Sequence, residues 1–492
     1  MSKVIQINPG DTVAVVLSPL KKGEVIALGA ETVTLVQDIQ QGHKFALSFM
    51  NESDSVIKYG FPIGHATKGI APGEWVHVHN LATNLSEQME YTYAPAIQKI
   101  EASPPETFMG YLRKDGKVGV RNEIWIIPTV GCVNDIAERL AQMSEPFEGV
   151  DNVCAFPHPY GCSQMGEDHE NTKKLLAALV RHPNAGGVLV VGLGCENNTM
   201  ASFQAEIGQV DNKRVKFMIC QDEVDEMESG IKLINELAEY AGKFKRQPLP
   251  VSELVIGMKC GGSDGLSGIT ANPVVGAFSD LMISKGGSMV LTEVPEMFGA
   301  ETILMNRAVN EKIFEKTMKM VNDFKSYFIA NKQTVYENPS PGNKQGGIST
   351  LEDKSLGCVQ KGGKSPVSDV IEYAGHVKTK GLTLLYGPGN DLVSATALAA
   401  AGAHMILFTT GRGTPFGAPG PTIKISSNAP LFQKKKNWLD FDAGPVAEGE
   451  EITSAAKRLM NLVLETASGK IQTKAEQQGY RGIAIFKSGI TL

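Results

Sequence analysis

The sequence predicts an α/β protein, with parallel sheets in two lobes preceded by a small all-β module. Three observations carry this reading. From Tyr111 onward, short apolar runs alternate with amphipathic stretches, a pattern that calls for parallel sheets covered on both faces. Residues 1–95 differ in texture: short β-type runs such as Thr12–Val16, Lys44–Leu47 and Trp75–His79 are separated by turn signals such as Pro9-Gly10-Asp11 and Pro72-Gly73. The chain of 492 residues also exceeds what a single core usually serves, so two to three domains are expected.

Taken in order, the module is expected to end near residue 95. Residues 96–107 (AIQKIEASPPET) carry no period and contain Pro104-Pro105, which reads as a linker. A middle α/β domain then spans 108–248, and a second lobe spans 249–492, the two dividing near Gln247-Pro248-Leu249-Pro250. Strands are expected at Ile124–Ile127, Val153–Phe156, Gly187–Val191, Val215–Ile219, Leu254–Met258, Ser288–Leu291, Leu382–Tyr386 and Met405–Phe408. Helices are expected at Asp135–Met143, Glu223–Tyr240, Glu301–Lys325 and Ser454–Thr466.

A net charge of -6, a pI of about 5.9 and a mean hydropathy of -0.09 describe an ordinary globular chain with no electrostatic footprint for nucleic acid or anionic membrane. No apolar stretch approaches the roughly 20 residues that cross a bilayer, and the N-terminus lacks a secretion signal, so a cytoplasmic location is expected. The seven cysteines then read as reduced thiols rather than a disulfide framework.

Several of those thiols share one setting. Cys162 in HPYGC, Cys195 in GLGCE and Cys260 in KCGG each follow a strand-like run and adjoin glycine, and Cys132 in PTVGC does the same. Ligands in open parallel sheets bind beyond the carboxyl ends of strands. Cys162, Cys195 and Cys260 are therefore expected to converge at one sheet edge and hold a metal, since soft thiolates select iron, zinc or iron–sulfur clusters over magnesium. Each thiol taken alone reads equally well as a core residue, as Cys154 and Cys220 do inside apolar runs. His77 and His79, two apart on an expected strand, would share a face, in solvent or on a ligand.

Glycine-rich loops with interior cations form a further set: RKDGKVGVRN (Arg121, Asn122), CGGSDGLSGITANP (Ser263, Asp264), NPSPGNKQGG (Lys344) and TTGRGTPFG (Arg412). Such loops suit a carboxylate or phosphate. With neither a P-loop nor a dinucleotide fingerprint, a small polyhydroxylated acid fits better than a nucleotide.

The stretches GHKFAL, YGFPIG, GYLRKDGKVGVRN, HPYGC, GLGCE, CGGSDGLSGITANPVVG, NPSPGNKQGG and TTGRGTPFG, in this order, resemble the altronate and galactarate dehydratase family of sugar-acid hydro-lyases. That resemblance implies an SAF-type β-clip at the N-terminus, a Rossmann-like C-terminal domain, a middle domain that forms a homodimer, and dependence on iron, with Mn2+ as an alternative; on it, Cys162, Cys195 and Cys260 would hold the iron, with Glu196 or Cys132 as an additional ligand, as a single Fe2+ or a four-iron cluster with one open position. GEWVHVHNLATNL is similar to the altronate branch, which implies dehydration of D-altronate to 2-keto-3-deoxy-D-gluconate. Galactarate, a sulfolactate-type C–S cleavage and a zinc-containing sugar-acid sensor are the competing readings. On the dehydratase reading, Arg121, Asn122, Ser263, Asp264, Lys344 and Arg412 bind substrate, His158, Tyr160 or Lys259 moves the proton, and His77 and His79 reach the site from the β module.

Overall fold

The computed structural model describes residues 3–29, 31–85 and 90–490. Its N-terminal module is all β. One antiparallel sheet runs Val4–Ile5, Val13–Val16, Lys44–Ala46, Trp75–Val76, and a second runs Ser55–Lys58, Phe61–Ala66, Leu81–Ala82. All four residues of Val13–Val16 are buried rather than alternating. Ala14 and Val16 fill the module's own core, whereas Val13 and Val15 pack with residues of the C-terminal lobe, so both faces of the strand are covered. The last strand stops at Val76; His77 lies in a turn and is buried, while His79 is exposed, so the two do not share a strand face.

Residues 90–106 adopt no regular structure but lie along the C-terminal lobe, held by Tyr93 Oη donating to the Ala308 carbonyl (2.7 Å) and Ser103 N donating to the Ser284 carbonyl (2.8 Å). The chain enters the middle lobe through Thr107–Leu112 and leaves it through Gln247–Pro250, which pair antiparallel. Pro248 and Pro250 are tolerated there because this is an edge strand.

Two wholly parallel sheets follow. In the middle lobe, β1 (Glu123–Pro128), β2 (Val153–Ala155), β3 (Ala185–Gly192) and β4 (Val215–Ile219) lie in the order β2-β1-β3-β4. Period-two alternation sends Ile124, Ile126, Leu189 and Val191 against the helices Asn134–Met143 and Glu226–Ala241. It sends Trp125, Ile127, Val188 and Val190 into a core shared with the C-terminal lobe. In that lobe, β5 (Val255–Cys260), β6 (Ser288–Leu291), β7 (Val367–Ile371), β8 (Gly381–Leu385), β9 (Met405–Thr410), β10 (Thr422–Ser426) and β11 (Phe441–Asp442) lie in the order β7-β8-β6-β5-β9-β10-β11. The helix expected over Glu301–Lys325 is two, Glu301–Met305 and Glu311–Ala330, because the Asn310 side chain accepts from Ile313 N and caps a new start.

The strand order reverses between β1 and β3 in the middle lobe and between β5 and β9 in the C-terminal lobe. Crevices at such reversals are where open α/β sheets bind ligands.

Candidate functional site

At the C-terminal switch point the loops after β5 (Cys260–Asp264) and β9 (Thr410–Gly413) lie side by side, since Cys260 pairs with Thr409. Cys260 is buried, and its Sγ lies 2.8 Å from Glu296 Oε2 and 3.5 Å from Cys358 Sγ. Cys358 Sγ is 3.2 Å from the same oxygen. These ligand atoms lie within 4.8 Å of one another, the one such trio among the described residues. Glu296 comes from a turn after β6, and Cys358 ends the helix Leu351–Cys358. The hydrogen bond to Cys358, then burial, pushes the Cys260 thiol well above its usual range. Burial alone would raise Glu296, but Lys354 (2.7 Å) and Lys361 hold it low.

Lys361 is fully buried and donates no hydrogen bond among the described residues. Burial opposes its charge, yet Cys260, Cys358, Glu293 and Glu296 around it keep it cationic. Glu293 sits at φ 70°, a left-handed conformation uncommon for a residue with a Cβ. There it accepts from Lys259 Nζ (3.0 Å) and from Cys260 N (2.8 Å). Burial pushes its carboxyl well above the carboxylate range. Lys259 points to the other face of the strand and uses all three ammonium protons, on Glu293, Asp391 (2.6 Å) and Ser394 (3.1 Å). With those bonds in place it is not a base.

The β module closes on this lobe through a second buried charge group. Asp353 accepts from Lys44 (2.9 Å) and Lys58 (2.8 Å), all three side chains being essentially fully buried. Burial lowers Lys44 to about 8, whereas Asp353 holds Lys58 up against the same burial. His77 Nδ1 meets Ser349 Oγ at 2.9 Å; burial, then Lys44, lowers it to about 3, so it is neutral. His43 accepts from Trp75 Nε1 on Nδ1 (3.0 Å), which fixes the proton on Nε2, 3.1 Å from the Gln345 carbonyl. In the adjoining loops, Arg412 Nη2 donates to Gln345 Oε1 (2.9 Å), half-buried Lys344 lies on the same short helix as Gln345, and the Ser263 carbonyl accepts from Asn343 Nδ2 (2.8 Å). Asp264 accepts from Ser267, Ser427 and Asn428 beneath them.

The other expected residues fall elsewhere. Cys132, Cys162 and Cys195 are exposed and follow β1, β2 and β3, so they crown the middle sheet rather than joining Cys260. The single rim expected for Cys162, Cys195 and Cys260 is therefore two rims, on two sheets. Glu196 turns inward, accepting from Thr129 Oγ1 (2.6 Å), Leu193 N and Gly194 N, which organises its own loop. His158 is buried with Nε2 on the Pro128 carbonyl (2.8 Å) and Nδ1 accepting from Tyr160 N (3.2 Å), so both ring nitrogens serve the backbone. Tyr160 is half-buried against the core shared by the two lobes. Arg121 and Asn122 precede β1 and lie at the opposite edge of the sheet. Arg121 pairs with Glu476 through Nε (2.7 Å) and Nη2 (3.1 Å), and Asn122 bonds Arg113 and the carbonyls of Gly149 and Ala241. Arg121 ties the middle lobe to the C-terminal segment and lines a small cavity of about 100 Å³ with Asp151 and Arg481, whereas Asn122 holds the middle lobe to itself. Glu293, Glu296, Lys354, Cys358 and Lys361 were not singled out from sequence, although other cysteines, lysines and a glutamate were, because none of the five sits in a glycine-rich loop beside an apolar run.

Fold and site together define an α/β enzyme whose C-terminal switch point carries a deep cationic and thiol-rich centre under a docked β module. Three family models match in succession: the altronate/galactarate dehydratase SAF domain over residues 2–84, the D-galactarate dehydratase/altronate hydrolase second domain over 110–242, and the D-galactarate/altronate dehydratase C-terminal domain over 251–491. The chain is 54% identical to the altronate dehydratase of Bacillus subtilis (strain 168) over 100% of both chains, and 53% identical to that of Escherichia coli (strain K12) over 99% of both. It is 33% identical to the Escherichia coli galactarate dehydratase (L-threo-forming), covering 98% of this chain and 96% of that one. The chain belongs to the altronate/galactarate dehydratase family, and it is a hydro-lyase.

Proposed function

We propose that this chain removes water from D-altronate to give 2-keto-3-deoxy-D-gluconate. The observation that carries the reading is the identity to two altronate dehydratases across the whole of both chains, against 33% to the galactarate enzyme. The chemistry asks for a proton to leave the carbon beside a carboxylate, for cations to hold the enediolate, and for hydroxide to leave the next carbon. Lys361, a buried ammonium without a hydrogen-bond partner among the described residues, receives the substrate carboxylate, with Arg412 and Lys344 at the entrance. Glu293, whose proton affinity burial raises, is the group placed to exchange a proton, and Lys259 positions it.

Two thiols and a carboxylate converging within 4.8 Å fit a divalent metal of borderline to soft character, Fe2+ better than Mn2+. Cys260, Cys358 and Glu296 would hold it, the thiols losing their protons on binding. A bound Fe2+ supplies Lewis acidity toward a substrate oxygen. Homodimerisation through the middle lobe and a cytoplasmic location complete the reading; no helix among the described residues is long and apolar enough to cross a membrane.

The test is keto-acid formation from D-altronate and from galactarate by the iron-loaded protein, beside Lys361→Met and Glu293→Gln. Turnover of D-altronate that falls at least a hundredfold in both variants is expected. No turnover of D-altronate by the wild type, or unchanged rates in the variants, overturns the reading.

A further inference from the structure

The three exposed thiols of the middle lobe have no part in that centre, and their surroundings are built rather than incidental. We infer that Cys132, Cys162 and Cys195 hold an iron–sulfur cluster of the four-iron type at the middle-lobe switch point.

The loops that carry them are tied to one another. Gly131 N donates to the Tyr160 carbonyl (2.8 Å), Asn198 N to the Gly161 carbonyl (2.9 Å), and Ser163 N to Asn197 Oδ1 (2.9 Å). Gly161, at φ 99°, presses the Cys162 loop onto the end of β1 so closely that a Cβ would sit 2.0 Å from the Thr129 carbonyl oxygen. Only glycine fits, and the outcome is three thiols from three adjacent strands presented at one edge. Free cysteine is normally among the most buried residue types, so three exposed thiols on one edge need an explanation.

Two observations select the ligand. A single tetrahedral ion with metal–sulfur bonds near 2.3 Å would bring its thiolates to about 3.8 Å of one another. Among the described residues only Cys260, Glu296 and Cys358 gather within 4.8 Å, so the middle-lobe thiols as they stand are not drawn together tightly enough for one such ion. Second, the same loops contain two buried side-chain atoms with no hydrogen-bond partner: Gln164 Nε2, on a residue 4% exposed, and Asn198 Oδ1, on one 0% exposed. Among the described residues these two atoms have no partner, and polar atoms at such depth call for one. Gln164 offers an amide N–H, as does Gln221, whose Nε2 lies 3.7 Å from Cys195 Sγ, and amide donors to sulfur are a usual means of tuning cluster potentials. Three thiolates leave one iron without a protein thiolate. Each thiol gives up its proton on ligation, and two iron(II), two iron(III) and four sulfides, which together make the 2+ core without any further oxidant, come from outside the chain.

This inference does not depend on which sugar acid is the substrate, and its readouts need none. Protein purified anaerobically and reconstituted with iron(II), iron(III) and sulfide is expected to hold about four irons and four acid-labile sulfides per chain beyond any iron at the C-terminal centre, with broad visible absorption. Cys132→Ser, Cys162→Ser and Cys195→Ser are each expected to lose at least half the sulfide, while Cys260→Ser keeps it. Absence of labile sulfide in the wild type, zinc in its place, or sulfide unchanged in the three variants overturns the assignment. Should those variants unfold, wild-type protein is alkylated before and after reconstitution. Protection of the three thiols from labelling is expected, and equal labelling in both states overturns it.

Discussion

The two switch points start from the same short sequence cue, a glycine-flanked cysteine near the end of an apolar run, and arrive at opposite environments. In the C-terminal lobe Cys260 is still inside β5, so neighbouring elements pack over it and bury it with Glu296, Cys358 and two lysines. In the middle lobe Cys132, Cys162 and Cys195 lie beyond their strands, in loops, and stay exposed. Position relative to the strand end, more than the residues around the thiol, decides whether it becomes part of a dense charge network or faces open space. One centre is therefore fixed by electrostatics, and the other by backbone turns.

If that contrast is right, damage at the buried centre should unfold the protein and damage at the exposed one should not. The largest effect is expected for Glu296→Ala and Asp353→Ala. Each strands buried lysines, Lys354 and Lys361 in one case and Lys44 and Lys58 in the other, at about 3–5 kcal/mol by urea unfolding. Retention of full stability in either would mean these charges are solvated.

Acid should act next. His158 in the middle lobe and His404 in the C-terminal lobe are each lowered to about 4 by burial and bond backbone carbonyls while neutral. Their stabilisation is present above the unfolded value near 6.5 and is lost as pH falls from there toward 4, by up to about 3 kcal/mol each. Thermal unfolding from pH 7.5 to pH 4.5 checks it, with His158→Gln flattening the slope.

A direct comparison of like with like comes third. In iron-free protein, Cys260→Ala should cost about 1–3 kcal/mol because it opens a gap and leaves a buried acceptor short of a partner, whereas Cys162→Ala should stay within about 0.5 kcal/mol. His77→Ala, which removes one neutral hydrogen bond to Ser349 between the β module and the C-terminal lobe, should fall between those two, at about 1 kcal/mol.

Much of the architecture was legible because strand-length apolar runs announce themselves: the strands around Ile124, Val188, Val255 and Met405 lie where periodicity puts them. β10 was missed because Thr-Ile-Lys-Ile-Ser alternates polar and apolar residues, and β11 because it spans two residues. The partners of Cys260 were invisible for a different reason. Glu296 is 36 residues away and Cys358 is 98, and nothing local marks that the helix Leu351–Cys358 ends beside β5. Arg121 misled because a glycine-rich loop with an arginine suits an anion only at the carboxyl edge of a parallel sheet, and this loop feeds the amino edge. His77 and His79 misled because their strand stops one residue before them.

The antiparallel pairing of Thr107–Leu112 with Gln247–Pro250 puts the doorway into the middle lobe next to the exit. A unit whose two ends are neighbours behaves as a cassette: it can be lifted out and the gap spliced with a short turn, without rethreading the remainder. The thiol-bearing lobe can thus be revised or replaced while the clip and the C-terminal switch point keep their register.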